Sequence, residues 1–87
     1  MDPFELTKTL MSIPSVTGTE RQIAEFLSSH LASLGYRVDR QRVTDDRFNV
    51  FAFAGEGRVM FCTHIDTVPP GNLPVREDDE FLYGRGA

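Results

Sequence analysis

The stretch RVMFCTHIDTVPPG, residues 58–71, decides how the rest of the chain is interpreted. Residues 59–63 are apolar on both faces of a strand, which is typical of a strand covered by helices on each side. The run then reaches His64 and Asp66, and the Pro-Pro-Gly that follows predicts a turn. Residues two apart in a strand share a face, so we expect both side chains to project together from the carboxyl end of a central strand. Open α/β sheets bind their ligands at that end.

Two amphipathic helices are predicted before this stretch. The first begins with Asp2 as its N-cap and Pro3 as its first helical residue, and Pro14 ends it. The second has the capping-box spacing from Thr19 onward and ends at Gly35. Its apolar stripe consists of Ile23, Phe26, Leu27, Leu31 and Leu34.

Strands are predicted in the remaining segments. Residues 36–43 are β-prone but heavily charged, as suits an edge strand, and residues 48–53 are apolar on both faces. Residues 74–87 read as a hairpin with Asp78 and Asp79 at its tip. A sheet buried on both faces needs more covering chain than two helices provide. We therefore predict an α/β fold, the N-terminal part of a mixed or parallel sheet flanked by helices, incomplete in this chain.

Composition excludes several classes of function. The net charge is −4, from nine basic and thirteen acidic residues without a basic block, which argues against a nucleic-acid or anionic-membrane surface. The longest apolar run is far shorter than the about 20 residues of a membrane span. The first residues lack the pattern of a secretory signal, and a single cysteine forms no internal disulfide. We expect a cytoplasmic protein that binds neither nucleic acid nor membrane.

His64 and Asp66 form a plausible half of a metal site. Neutral imidazole is the commonest ligand of transition metals near neutral pH. A neighbouring carboxylate that accepts the other ring N–H fixes the tautomer and orientation of the ring and raises its basicity. The structural alternative is a histidine satisfied by a loop carbonyl, with Asp66 capping the turn that follows.

Other candidates have simpler interpretations. Cys62 has no activating partner in the sequence, so we expect a buried small apolar residue. His30 lies at the edge of the second helix's apolar stripe, and we expect a packed or half-exposed side chain there rather than a ligand. Residues 76–80 are acidic but lack calcium-loop spacing, and Arg85 fits either a turn or a partner for a carboxylate. No serine-hydrolase elbow or phosphate-binding loop is present in the sequence.

Three motifs together carry a family resemblance: SIPSVTGTE at residues 12–20, THIDTVPPG at 63–71 and LYGRGA at 82–87. In this order they resemble the zinc-dependent aminoacylase and carboxypeptidase family, which includes acetylornithine deacetylase and succinyl-diaminopimelate desuccinylase. The resemblance covers essentially the whole chain. It implies that residues 1–87 are the N-terminal portion of a catalytic metallohydrolase domain, without the rest of that domain or any lid or dimerisation domain.

The resemblance also implies the chemistry. His64 would bind one of two zinc ions, with cobalt or manganese as alternatives, and Asp66 would serve catalysis as the carboxylate that orients His64. No further cofactor-binding residue is implied. The substrate would be an N-acyl amino acid or a small peptide, hydrolysed at an amide bond, and the complete protein could form a homodimer. The remaining ligands and the general base would lie in the rest of the parent chain, so these residues alone are expected to be inactive. The rival hypothesis is a small α/β binding module in which His64 and Asp66 are structural.

Overall fold

The computed structural model describes residues 2–69 and 74–85. The described residues form two helices and two antiparallel hairpins. In chain order the elements are α1 (Pro3–Ser12), α2 (Arg21–Ser33), β1 (Arg37–Thr44), β2 (Arg47–Phe53), β3 (Arg76–Glu77) and β4 (Leu82–Tyr83). Among these residues, neither helix is both long and apolar enough to cross a membrane.

Helix α1 begins as the sequence predicts and lies against the second hairpin. The Asp2 side chain accepts a hydrogen bond from the Glu5 backbone N–H at 2.9 Å, which satisfies one of the donors that a helix start leaves unpaired. No residue of α1 is buried. Lys8 Nζ lies 3.0 Å from Glu77 Oε1 in β3, so a salt bridge joins the helix to that hairpin.

Helix α2 packs on the first hairpin and supplies the buried apolar residues of the described chain, Ile23 and Ala24. The predicted stripe is only partly covered, because Leu34 at its end is 61% exposed. Gly35 follows with φ of +96°, a left-handed conformation that ends the helix at low steric cost. The core is therefore as thin as the length of the chain suggests.

The described strands form two hairpins, of which the second was predicted as a hairpin and the first only as two strands. Strands β1 and β2 pair antiparallel, with Arg37 opposite Phe53 and a change of register between Arg42 and Thr44. Strands β3 and β4 pair antiparallel around Asp78, which lies at the turn as predicted. The ladders are antiparallel rather than parallel, because each strand pairs with its neighbour in sequence across a short turn.

The covered central strand predicted over residues 59–63 does not form. Val59, Met60 and Phe61 are 75%, 77% and 96% exposed, and Cys62 is exposed rather than buried. A strand is stabilised by pairing its backbone with another strand, and within residues 2–69 and 74–85 both ladders consist of two strands and neither includes residues 59–63. Parallel pairing is limited, in this part of the chain, to one isolated bridge between Val16 and Thr67.

Candidate metal centre

His64 and Asp66 lie in direct contact although they do not leave a strand. His64 Nδ1 is 3.0 Å from Asp66 Oδ1 and also 3.0 Å from the Asp66 backbone oxygen. The His64 side chain is 83% exposed, whereas that of Asp66 is 33% exposed. Both neighbours of Nδ1 are acceptors, so in the neutral ring Nδ1 carries the proton and the lone pair is on Nε2. The ring therefore offers one exposed nitrogen with which it can bind a metal ion.

The loop between α1 and α2 holds Asp66 from the other side. Thr17 Oγ1 donates a hydrogen bond to Asp66 Oδ2 at 2.6 Å, so each carboxylate oxygen has its own donor. The two backbone segments are also joined, because Thr67 N–H donates to Ser15 O at 2.8 Å and Thr17 N–H donates to Thr67 O at 3.1 Å. These two bonds make up the bridge between Val16 and Thr67, and we call them the loop clamp.

A buried carboxylate shapes this loop. Glu20 is only 6% exposed, and it accepts hydrogen bonds from Gly18 N–H at 2.6 Å and from Arg47 Nε at 2.5 Å. Gly18 has φ of +94°, a left-handed conformation that favours glycine. Arg47 is the first residue of β2, so the ion pair fastens the loop to the first hairpin.

The electrostatics of both carboxylates follow from these bonds. The hydrogen bond from Thr17 is the largest influence on Asp66, and together with the bond from His64 it outweighs partial desolvation and lowers the pKa of Asp66. Burial alone would raise the pKa of Glu20, but the bonds from Arg47 and Gly18 outweigh burial and lower it. Asp66 is therefore ionised at neutral pH, in the form that accepts the His64 Nδ1 proton.

The donor chemistry fits a metal ion, but the described residues supply only part of a site. An imidazole with a carboxylate behind its Nδ1 is the usual arrangement of a histidine that binds zinc. A catalytic zinc normally takes three protein ligands, and residues 2–69 and 74–85 contain no group of three or more His, Cys, Asp or Glu side chains that could hold an ion. Arg85 Nε is buried and has no hydrogen-bond partner in that part of the chain.

The structure also settles two minor sequence interpretations. His30 stacks on Phe26 with 5.8 Å between ring centroids and 7° between ring planes, so its predicted packing role is confirmed. Cys62 was expected to be buried and is exposed, because the strand that would have buried it does not form.

Sequence reasoning missed Thr17 and Glu20. The contact from Thr17 to Asp66 spans 49 positions, and that from Glu20 to Arg47 spans 27. No periodicity links residues so far apart. The available signal was that SIPSVTGTE and THIDTVPPG are both part of the family resemblance, since two motifs of one site are expected to meet in space.

Comparison with known proteins shows which class of protein the chain is similar to. The chain is homologous to peptidase M20 domain proteins, carboxypeptidases and succinyl-diaminopimelate desuccinylases, which are hydrolases. The resemblance inferred from the three motifs is thereby confirmed. The roles of His64 and Asp66 stay predictions.

Three relatives illustrate the match. A peptidase M20 domain-containing protein of Schizosaccharomyces pombe is 40% identical over 90 residues, which cover 97% of this chain and 22% of the relative. A probable carboxypeptidase of Emericella nidulans is 44% identical over 97 residues, covering 97% and 23%. A succinyl-diaminopimelate desuccinylase of Corynebacterium glutamicum is 42% identical over 89 residues, covering 98% and 24%.

The chain thus spans about a quarter of the length of these relatives. No family model matches the chain. No solved structure is significantly similar to it.

Proposed function

We propose that residues 1–87 are the N-terminal portion of the catalytic domain of a metal-dependent amidohydrolase with a zinc-exopeptidase-like fold. The complete protein hydrolyses an amide bond in an N-acyl amino acid or a small peptide. The observation that carries this proposal is the contact of 3.0 Å between His64 Nδ1 and Asp66 Oδ1 behind an exposed ring. The names of the relatives, desuccinylase and carboxypeptidase, support the reaction class.

In this proposal the two residues have separate tasks. His64 binds the metal through Nε2, and Asp66 holds the ring in the tautomer that presents the Nε2 lone pair. The bound metal supplies polarisation of the amide carbonyl and activation of water. Zinc is the expected ion, although cobalt and manganese accept the same donors.

The remaining parts of the site are proposed to lie in the polypeptide that corresponds to the other three quarters of the relatives. These parts are the other ligands, the general base, the substrate pocket and any lid or dimerisation domain. One imidazole does not hold a hydrolytic metal, since such sites use three or more protein ligands. We therefore propose that residues 1–87 alone are inactive.

The test uses the protein encoded by the complete reading frame that contains residues 1–87. We expect purified protein to contain zinc by mass spectrometry and to release amine from members of a panel of N-acetyl and N-succinyl amino acids and dipeptides. His64→Ala should lose metal and nearly all activity. His30→Ala is the matched control, because it is the same substitution on a ring that stacks on Phe26 and should leave the metal content unchanged.

Two results would overturn the proposal. One is a His64→Ala protein that keeps the metal content of the unmodified protein. The other is a reading frame that stops near codon 87 and encodes a cooperative, zinc-free monomer, which would favour a binding module with structural His64 and Asp66.

A further inference from the structure

We propose that Thr17 is a positioning residue of the metal site, whose hydroxyl fixes the Asp66 carboxylate and thereby the His64 ring. This inference rests on the proposed function, because it assumes that His64 binds a metal ion. Within the described residues, it adds a residue from the loop between α1 and α2 to the pair formed by His64 and Asp66.

The geometry of the carboxylate is the first step. Thr17 Oγ1 lies 2.6 Å from Asp66 Oδ2, and His64 Nδ1 lies 3.0 Å from Asp66 Oδ1. The last torsion of an aspartate is broad and roughly two-fold, so one hydrogen bond leaves the carboxylate free to swing. A second donor on the other oxygen removes that freedom. The Nδ1 acceptor then stays in place whether or not a metal is bound at Nε2.

The second step is the rigidity of the donor itself. The Thr17 backbone N–H donates to Thr67 O at 3.1 Å, and Thr67 N–H donates to Ser15 O at 2.8 Å, so the donor and the residue after Asp66 share one clamp. The next residue, Gly18, donates to the buried Glu20 carboxylate at 2.6 Å. The hydroxyl is therefore presented from a backbone fixed on both sides rather than from a free loop end.

A purely structural role for Thr17 makes a different prediction from a positioning role. If the hydroxyl only stabilised the loop, its loss would lower the melting temperature and leave the metal affinity of the folded protein unchanged. If it positions Asp66, its loss also weakens metal binding by the folded protein, in addition to any change in melting temperature. Partners behind a metal ligand typically contribute about 10- to 100-fold to affinity, and for a residue one step further away we expect about 3- to 10-fold.

The experiment compares Thr17→Val and Thr17→Ser in the complete protein. Zinc affinity is measured by competition with a chromophoric chelator, and the melting temperature of the metal-free protein is measured alongside it. Thr17→Val should bind zinc about 3- to 10-fold more weakly, and Thr17→Ser should retain the affinity, because it keeps the hydroxyl. If the valine variant does not fold, Thr17→Ala compared with Thr17→Ser gives the same contrast.

Thr19→Val is the matched control. Thr19 lies in the same loop, and its Oγ1 donates a hydrogen bond of similar length, 2.7 Å, to Val16 O. The substitution therefore removes a hydroxyl that does not bond to Asp66. A second contrast is the double variant with Asp66→Asn. The effect of Thr17→Val should largely disappear there, because residues that act through one partner are not additive.

The outcomes separate this inference from the proposed function. If His64→Ala keeps its metal, the proposed function fails, and the Thr17 inference fails with it. If His64→Ala loses its metal while Thr17→Val binds zinc normally, the Thr17 inference alone is refuted. Equal losses of affinity in Thr17→Val and Thr19→Val, or additivity with Asp66→Asn, also refute it.

Discussion

Replacement of Glu20 by glutamine is expected to destabilise the fold, because Glu20 is 6% exposed and bonds to both Arg47 and Gly18. A hydrogen bond to a charged group contributes about 1.5–3 kcal/mol when it is shielded from water. The Arg47 side chain is 36% exposed, so solvent screening reduces its contribution to about 1 kcal/mol. With part of the Gly18 bond retained by the amide oxygen, we expect a total loss of about 1–2 kcal/mol.

The pH dependence of this loss provides the sharper assay. The pKa of Glu20 is lowered in the folded state, so its stabilisation is present above its unfolded pKa and is lost as the pH falls through the folded value. Thermal melts followed by circular dichroism should show that Glu20→Gln lowers the melting temperature by about 4–16 °C at pH 7. This difference should shrink as the medium is acidified below the ordinary glutamate range.

The control for this prediction is Glu25→Gln. Glu25 pairs with Arg21 at 3.1 Å, and both side chains are about half exposed, at 46% and 51%. Such surface pairs contribute about 0.3–0.5 kcal/mol. A Glu20→Gln effect no larger than that of Glu25→Gln, or one that is the same at pH 7 and at pH 3, would refute the reasoning.

Two further predictions concern the site and the exposed apolar run. Asp66→Asn should weaken zinc binding of the complete protein about 10- to 100-fold, because the amide is a poorer acceptor for the His64 Nδ1 proton; chelator competition measures this, and an unchanged affinity would contradict it. Phe61→Lys in the 87-residue chain should reduce binding of a hydrophobic dye without changing the melting temperature, because Phe61 is 96% exposed and loses no packing. A lower melting temperature would mean that Phe61 is packed in solution.

Local signals predicted the local elements well. The Asp2 cap forms as expected, because its partner is the Glu5 N–H only three positions away. The capping box predicted from Thr19 onward does not form: the N-cap of α2 is Glu20 rather than Thr19, and the Thr19 hydroxyl bonds to Val16 O. The residue before α2 is Glu20, and its side chain makes no capping bond. It turns instead to Gly18 and to Arg47, since a charged partner from β2 is a stronger competitor than a helix N–H.

The contact between His64 and Asp66 was predicted correctly, but the strand from which it was predicted does not form. Strand alternation placed the two side chains on one face, but residues 59–63 form no ladder. The two side chains are only two residues apart, and the ring of His64 bonds directly to the Asp66 carboxylate. Two residues so close in sequence can be predicted to touch even when their secondary structure is predicted wrongly. The contact between Thr17 and Asp66 spans 49 positions, so it could be identified only from the structure.

The difference between the predicted and observed state of residues 59–63 indicates what determines the geometry of the site. The apolar pattern of residues 59–63 predicts burial, yet its large side chains are 75–96% exposed, so this run contributes little to holding His64 in place. The segment that follows is held by two backbone bonds of the loop clamp and by the hydroxyl of Thr17. Burial of one large apolar side chain is worth about 1.5–3 kcal/mol, so a partner that covers residues 59–63 would add stability. It would not need to move Asp66, because the clamp fixes the backbone of the adjacent Thr67 and the Thr17 hydroxyl holds the Asp66 carboxylate.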